Sequence, residues 1–371
     1  MGLALAAPAM ATAFAFSLAA LVLIVSGSDP LVAFGEMLEN GTRLETMVDT
    51  LNRATPLFLS GIAAAIGFRM NLFNIGVEGQ YLMAAFFAAA AGGAVDLPPV
   101  LHVGLILVVA VTVGATYSGI AGVLKVTRGV NEVISTIMLN GIAVAGLLPF
   151  LVRALADDSG SANVPGTTEI SESGRMPSLN GVVEIFTREI GKGRELSSVL
   201  LIAAAVGVLY HVFISRTRFG FDLRASGINP FAARVGGVPP QRMVLIAMLL
   251  SGAAAGLVGM FEVLSDKFKY DQSFVQGLGF GGIAVALLGR NHPIGIAIGA
   301  VLFGFLDASS GVLQVSGSAS REIVVIIQGV ILLAAVVAYE VVSRFREREE
   351  ARMAALALQA TPTTSNAGGA A

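Results

Sequence analysis

Gly67–Met83 reads GFRMNLFNIGVEGQYLM, and the fold turns on how that stretch is understood. It is a short polar interruption between two apolar segments, Ala54–Phe68 and Tyr81–Val95. Arg69, Asn71, Asn74, Glu78 and Gln80 fall inside it, and Gly76 and Gly79 loosen its backbone. On a soluble protein such a run would sit in water. Here nearly everything around it reads as lipid-facing. Polar groups persist at membrane depth only where protein buries them or a wet cavity receives them.

Composition agrees with that reading. Of 371 residues, 55% are hydrophobic and 13% charged, against about one quarter charged in a soluble domain. The length has room for about ten spans of ~20 residues each. A net charge of −2 offers nothing to nucleic acid. Cysteine is absent, which excludes disulfides, thiol chemistry and cysteine-bound metals. His102, His211 and His292 are far apart in sequence and read as packing or interfacial residues. No metal or other cofactor is expected on the chain. The 44 glycines and many alanines suit close helix–helix approach in lipid.

In chain order, the expected spans are Leu3–Ser26, Ala54–Arg69, Gln80–Val95, Val100–Leu124, Val133–Val152, Ser198–Ser215, Met243–Leu264, Pro293–Leu313 and Ile323–Val342. The first lacks a basic leader and a clear cleavage site, so it is expected to be retained. An eighth segment, Leu278–Gly289, is too short and glycine-rich for a straight span and predicts a broken or re-entrant helix. Gly27–Arg53, 153–197 and 216–242 read as polar connections. The tail, from Arg344 on, reads as disordered. The expected fold class is an all-α polytopic membrane protein of about ten helices. Its membrane domain covers residues 1–343, with an extracytoplasmic loop at 153–197 and a cytoplasmic tail at 344–371.

Lys and Arg set the orientation. With both termini inside, Arg69, Lys125, Arg128 and the arginines of 216–242 lie on the cytoplasmic side. An echo between GIAAAIGFRM at Gly61–Met70 and GIAVALLGRN at Gly282–Asn291 suggests an internal repeat.

FNIGVEGQ at Phe73–Gln80, preceded by GIAAAIGFRMNL, resembles the membrane subunits of bacterial ABC importers of the ribose/branched-chain amino acid permease superfamily. Within it, the stretch looks like the nucleoside-type branch, which works with a lipoprotein receptor of the basic-membrane-protein kind. A second segment, GFDLRASGINPFAARVGGVPPQR at Gly220–Arg242, resembles the cytoplasmic coupling loop of such permeases. Gly220, Arg224, Ala225, Gly227, Asn229, Pro230, Ala232, Ala233, Arg234 and Gly237 stand at the family's positions. The resemblance runs from about Leu51 to Val342. It implies a type II ABC importer-like fold in the bacterial inner membrane. It also implies three partners: a separate ABC ATPase subunit, a second homologous permease subunit and an extracytoplasmic substrate-binding lipoprotein. The chain would then be no enzyme itself, and it carries no G-x-x-x-x-G-K-[ST] motif for ATP.

The residues also have a chemistry of their own. Asn229-Pro230 is a good helix start, and Gly236-Gly237 a good stop. The small alanine face between them would fit a partner's groove. Phe231 is a candidate anchor there, and Arg224 or Arg234 could pair with acids. Asn71, Asn74, Glu78, Gln80 and Asn140 could line the path of an uncharged substrate with ring nitrogens and ribose hydroxyls. Equally, Asn74 or Glu78 could cap the span that follows, and Asn140 could make an interhelical hydrogen bond. Three functions stay open: ATP-driven nucleoside uptake, uptake of a simple sugar, and a secondary transporter or channel. The last would want an ion site or charge relay inside the spans.

Overall fold

A computed structural model describes residues 14, 16–154, 165–185, 193–316, 320, 322–334 and 337. Among them the chain is helical, with two isolated β-bridges, Gly166 to Asp271 and Ser178 to Ser197. The helices are α1 (Phe16–Val25), α2 (Pro30–Gly41), α3 (Leu44–Arg69), α4 (Val77–Gly93), α5 (Pro99–Arg128), α6 (Glu132–Ala154), α7 (Val199–Arg216), α8 (Arg218–Ile228), α9 (Pro230–Val235), α10 (Pro240–Gly256), α11 (Leu278–Leu288), α12 (Pro293–Ser316) and α13 (Glu322–Ala334).

Four of them, α5, α6, α7 and α12, are long and apolar enough to cross a membrane. The pair α1–α2, bent by 118°, would be a fifth if it counts as one span. Ten spans are therefore not reached on length and apolarity alone. α4 and α11 have only 17 and 11 residues, and α3 and α4 are largely enclosed by protein rather than lipid. α3 is buried almost continuously from Ala54 to Gly67, the mark of a central helix.

Two expected boundaries are corrected. Gly27–Arg53 is not an open connection but mostly helix. Asp29 caps α2 by accepting from Leu31 N (2.8 Å), with Pro30 in the first turn. α3 begins at Leu44, ten residues before the apolar run, and Thr50 satisfies its buried hydroxyl on the Thr46 carbonyl (2.6 Å). Met243–Leu264 is not one straight span either. α10 stops at Gly256, and after a turn Glu262–Asp266 forms a π-helix. The first expected span is described only from Phe16, apart from Phe14, and the last to Ala334 and at Val337. The whole expected tail, residues 344–371, and residues 155–164 and 186–192 of the long connection lie outside the described residues.

Small residues set the packing. α5 and α10 run antiparallel, with Gly114 and Ser118 against Gly252 and Gly256. A Cβ on Gly114 would lie 2.8 Å from the Gly256 backbone, and Ser118 Oγ donates to the Met248 carbonyl (2.7 Å). Such contact is how helices gain dispersion where lipid removes the hydrophobic drive. α12 also runs antiparallel to α3, with Ile296 beside Gly61 and Gly304 beside Thr50 and Ala54.

The molecule has two chemically distinct ends. Arg69, Lys125, Arg224 and Arg290 gather at the arginine end. At the other, the loop end, residues 165–176 fold back on the chain. Thr167 N donates to Tyr270 O (2.9 Å), Ile170 N to Phe268 O (2.8 Å) and Met176 N to Leu264 O (2.9 Å). His102 is a buried packing residue there, its ring nitrogens 2.9 Å from Ser173 Oγ and from the Gly92 carbonyl. The hydroxyls of Ser171 and Ser173 hold the Asp96 carboxyl below its ordinary range.

Candidate functional site

α3 reaches the arginine end and stops in a tight turn. Leu72 N donates to the Gly67 carbonyl and Asn71 N to that of Phe68, both 3.0 Å. Asn71 takes the left-handed conformation (φ 58°) that closes the turn. α11 ends at the same face in the same way, with Asn291 N on the Ala286 carbonyl (2.9 Å) and Arg290 at φ 55°. Arg69 Nη2 and the Tyr210 hydroxyl both donate to the Asn291 carbonyl, at 2.9 and 2.8 Å, and tie the two ends together. Gly61 faces Gly282, so the two echoing stretches pack side by side and parallel.

Helix lengths fix the depths. α11 has 11 residues, so its start lies about 16 Å from the arginine end, about half the ~30 Å thickness of a hydrocarbon layer. α4 has 17 residues, about 25 Å, and runs from that depth to the loop end. Together they match α3, whose 26 residues measure about 39 Å. The two short helices thus begin back to back and run to opposite ends. Each presents a positive N-terminus to the interior.

Glu78 sits between those two starts and is 6% exposed. Its Oε1 accepts from Gly277 N (2.6 Å) and its Oε2 from Gly279 N (2.8 Å). The Tyr81 hydroxyl lies 3.1 Å from Oε1 and 2.8 Å from the Val275 carbonyl. Glu78 therefore caps α11 rather than the helix that carries it. The residue before α4 is Gly76, with no side-chain cap.

The buried Asn74 and Gln80 and the half-buried Asn140 form a second layer. Asn74 Nδ2 donates to Gln80 Oε1 (2.9 Å), and Gln80 Nε2 donates back to Asn74 Oδ1 (2.8 Å). Asn74 Nδ2 also reaches Ser251 Oγ (2.8 Å), which donates to the Ala63 carbonyl (2.6 Å). Asn140 Nδ2 donates to Ile75 O (2.8 Å) and its Oδ1 accepts from Gly79 N (2.9 Å). The four interior groups expected on a substrate path are thus brought together, but as a lock joining α3, α4, α6 and α10. Asn71 stands apart, exposed at the arginine end.

The large open volume lies elsewhere. A cavity of about 1220 Å³ occupies the loop-end half, between α3, α11, α12 and α13. Gly277, Leu278, Gly281 and Ala284 form its floor, at the start of α11, and Leu57, Phe280 and Phe303 contribute apolar wall. Its rim is charged and paired. Arg53 bonds Asp307, and Arg194 bonds Glu45 (2.8 Å) and Asp49 (3.2 Å). Beside it, Tyr270 stacks on Phe274 at 4.6 Å, and burial keeps the Tyr270 hydroxyl protonated by pushing it well up. None of Asn71, Asn74, Glu78, Gln80 and Asn140 lines this cavity. Sequence reading passed over Gln276, although an amide directly before the glycine that opens a short helix is a visible signal. No group of three or more metal-ligating side chains occurs among the described residues.

The segment 216–242 folds at the arginine end. Asn229 Oδ1 accepts from Phe231 N (3.0 Å) and Ala232 N (3.1 Å), Pro230 opens α9, and Gly237 at φ 83° follows it. Gly220, Gly227 and Ala233 face the chain's own interior. A Cβ on Gly227 would lie 2.6 Å from the Met70 backbone. The Arg224 guanidinium donates to the Ile214 carbonyl. The outward residues are Ile228, Phe231, Arg234 and Val235, with Phe231 81% exposed.

Residues 46–336 match the family described as branched-chain amino acid transport system / permease component. The chain belongs to that family. This permease is also similar to the guanosine ABC transporter permease protein NupP of Bacillus subtilis, 34% identical over 331 residues, which are 88% of this chain and 91% of that protein. The glucose ABC transporter permease protein TsgB13 of Haloferax volcanii is 31% identical over 332 residues, 89% of this chain and 87% of that protein. The nucleoside ABC transporter permease protein NupB of Lactococcus lactis is 28% identical over 343 residues, 89% of this chain and 90% of that protein. The permease is therefore a multi-pass membrane protein of the ABC transport class.

Proposed function

We propose that this permease is the membrane subunit of an ATP-driven system that imports nucleosides. The 34% identity to a guanosine permease over most of both chains carries the proposal. A binding lipoprotein would deliver the nucleoside at the loop end. The substrate would enter the cavity above α11 and leave at the arginine end. Mixed polar and aromatic lining suits an uncharged heterocycle with a sugar attached.

In this reading both termini and the arginine end face the cytoplasm of a bacterium, the chain spans its inner membrane about ten times, and residues 1–343 form one transport domain. A separate ATPase would dock on the exposed face of 216–242, and a second homologous permease would complete the membrane part. The chain itself would make and break no covalent bond and need no cofactor. Asn71, Asn74, Glu78, Gln80 and Asn140 would act as the gate between cavity and arginine end, by differing contacts in two states.

Uptake of radiolabelled guanosine in a deletion strain, with ribose and a branched-chain amino acid as competitors, tests this. Uptake that disappears on deletion and ignores both competitors is expected. A second reading is sugar uptake, favoured by the 31% identity to a glucose permease. It would replace the first if deletion abolished glucose or ribose uptake and left guanosine untouched.

A further inference from the structure

We propose that Gln276 and Phe280 form the subsite that recognises the heterocyclic base of the substrate. The inference rests on the nucleoside reading and adds to it the residues that would make the choice.

Both side chains line the cavity at its floor. Phe280 lies in the first turn of α11 and Gln276 two residues before the helix begins, on the other side of the left-handed Gly277 (φ 92°). Two polar side chains of the same wall, Asn52 and Ser265, are already engaged. Asn52 donates to the Glu195 carbonyl (2.7 Å) and accepts from Ser197 N (3.1 Å), and Ser265 Oγ lies 2.7 Å from Ser197 Oγ. Among the described residues, the Gln276 amide has no such partner. A carboxamide displays a donor and an acceptor side by side. That pair matches the edge of a base carrying an adjacent acceptor and donor. The Phe280 ring is 55% exposed and offers a flat apolar face for stacking, which tolerates any base.

The backbone under both is held from behind. Glu78 binds the N–H groups of Gly277 and Gly279, and the Tyr81 hydroxyl reaches the Val275 carbonyl. Gln276 and Phe280 are thereby carried on a clamped segment, as a recognition site requires. Selectivity would reside in the amide, and base-independent affinity in the ring.

The chain has no tryptophan, so Phe280→Trp places one reporter at the subsite. The complete transporter carrying it is put in nanodiscs and titrated with guanosine, uridine, ribose and glucose, with the unsubstituted complex as background. Saturable quenching by both nucleosides and by neither sugar is expected. Equal response to ribose, or no response from a complex that still takes up guanosine, would overturn the subsite. Independently, Phe280→Leu should lower guanosine uptake at limiting substrate about tenfold, with Phe280→Tyr restoring it. Gln276→Ala should change the guanosine-to-uridine competition ratio while receptor binding stays the same. An unchanged ratio would remove Gln276 from the proposal. Failure of the unsubstituted complex to take up any nucleoside, with glucose uptake intact, would instead overturn the nucleoside reading beneath it.

Discussion

Two breaks interrupt the helices of this permease, and they solve the same problem in opposite ways. At Met70–Gly76 the chain leaves α3, turns, and starts α4 within the protein interior. At Lys267–Gly277 it wanders through the loop end before starting α11 at the same depth. The first break is filled by amides: its own Asn74 bonds Gln80 of α4 and Ser251, and Asn140 of α6 bonds the backbone of Ile75 and Gly79. The second opens on a cavity, and its amide, Gln276, faces that space unengaged. Glu78 joins the two breaks, belonging to the first by sequence and capping the second by contact.

The largest expected effect comes from cutting that joint. Glu78→Ala leaves the N–H groups of the buried Gly279 and of Gly277 at the cavity without their acceptor and weakens the hold of Tyr81. At about 1–3 kcal/mol per stranded group, the loss should reach about 3 kcal/mol or more. Thermal unfolding of the purified complex measures it. Glu78→Gln, which keeps one acceptor, should fall between. An unchanged melting temperature for Glu78→Ala would separate the two breaks.

Next come the amides themselves. Asn74→Ala strands Gln80 and Ser251 and should destabilise by about 1–3 kcal/mol while leaving substrate preference alone. Gln276→Ala strands nothing, so stability should stay within about 0.5 kcal/mol while preference shifts. The opposite pattern, with Asn74 moving preference and Gln276 moving stability, would invert the comparison.

At the arginine end the contrast is between inward and outward faces. Gly227→Val presses on the Met70 backbone and should cost about 1–3 kcal/mol. Phe231→Asp, on an exposed side chain, should stay within about 0.5 kcal/mol yet uncouple ATP hydrolysis from uptake. The smallest effect is at the rim. Arg194→Ala removes two part-exposed ion pairs, worth up to ~1 kcal/mol and less in high salt. A larger loss would mean that the rim, and not the clamped floor, holds the cavity together.

Some of this was legible in the chain and some was not. The Asn229-Pro230 start and the short Leu278–Leu288 helix could be read because caps, proline and glycine act within a few residues. Gly27–Arg53 misled because its acids and Arg53 suggest solvent, whereas several pair at the loop end, Arg53 with Asp307 and Glu45 and Asp49 with Arg194. Asn74 and Glu78 read as caps for α4 because that helix is next in sequence. Geometry sends Glu78 instead to a helix start about 200 residues on.

The membrane class, the helical fold and the breaks at Met70–Gly76 and before Leu278 follow from the sequence by itself, since transfer of side chains to lipid and local backbone preference are summed residue by residue. Which break is sealed and which opens on a cavity was decided only in three dimensions. Hydrogen-bond satisfaction is a property of pairs, and the partners of Asn74, Glu78 and Asn140 come from distant parts of the chain.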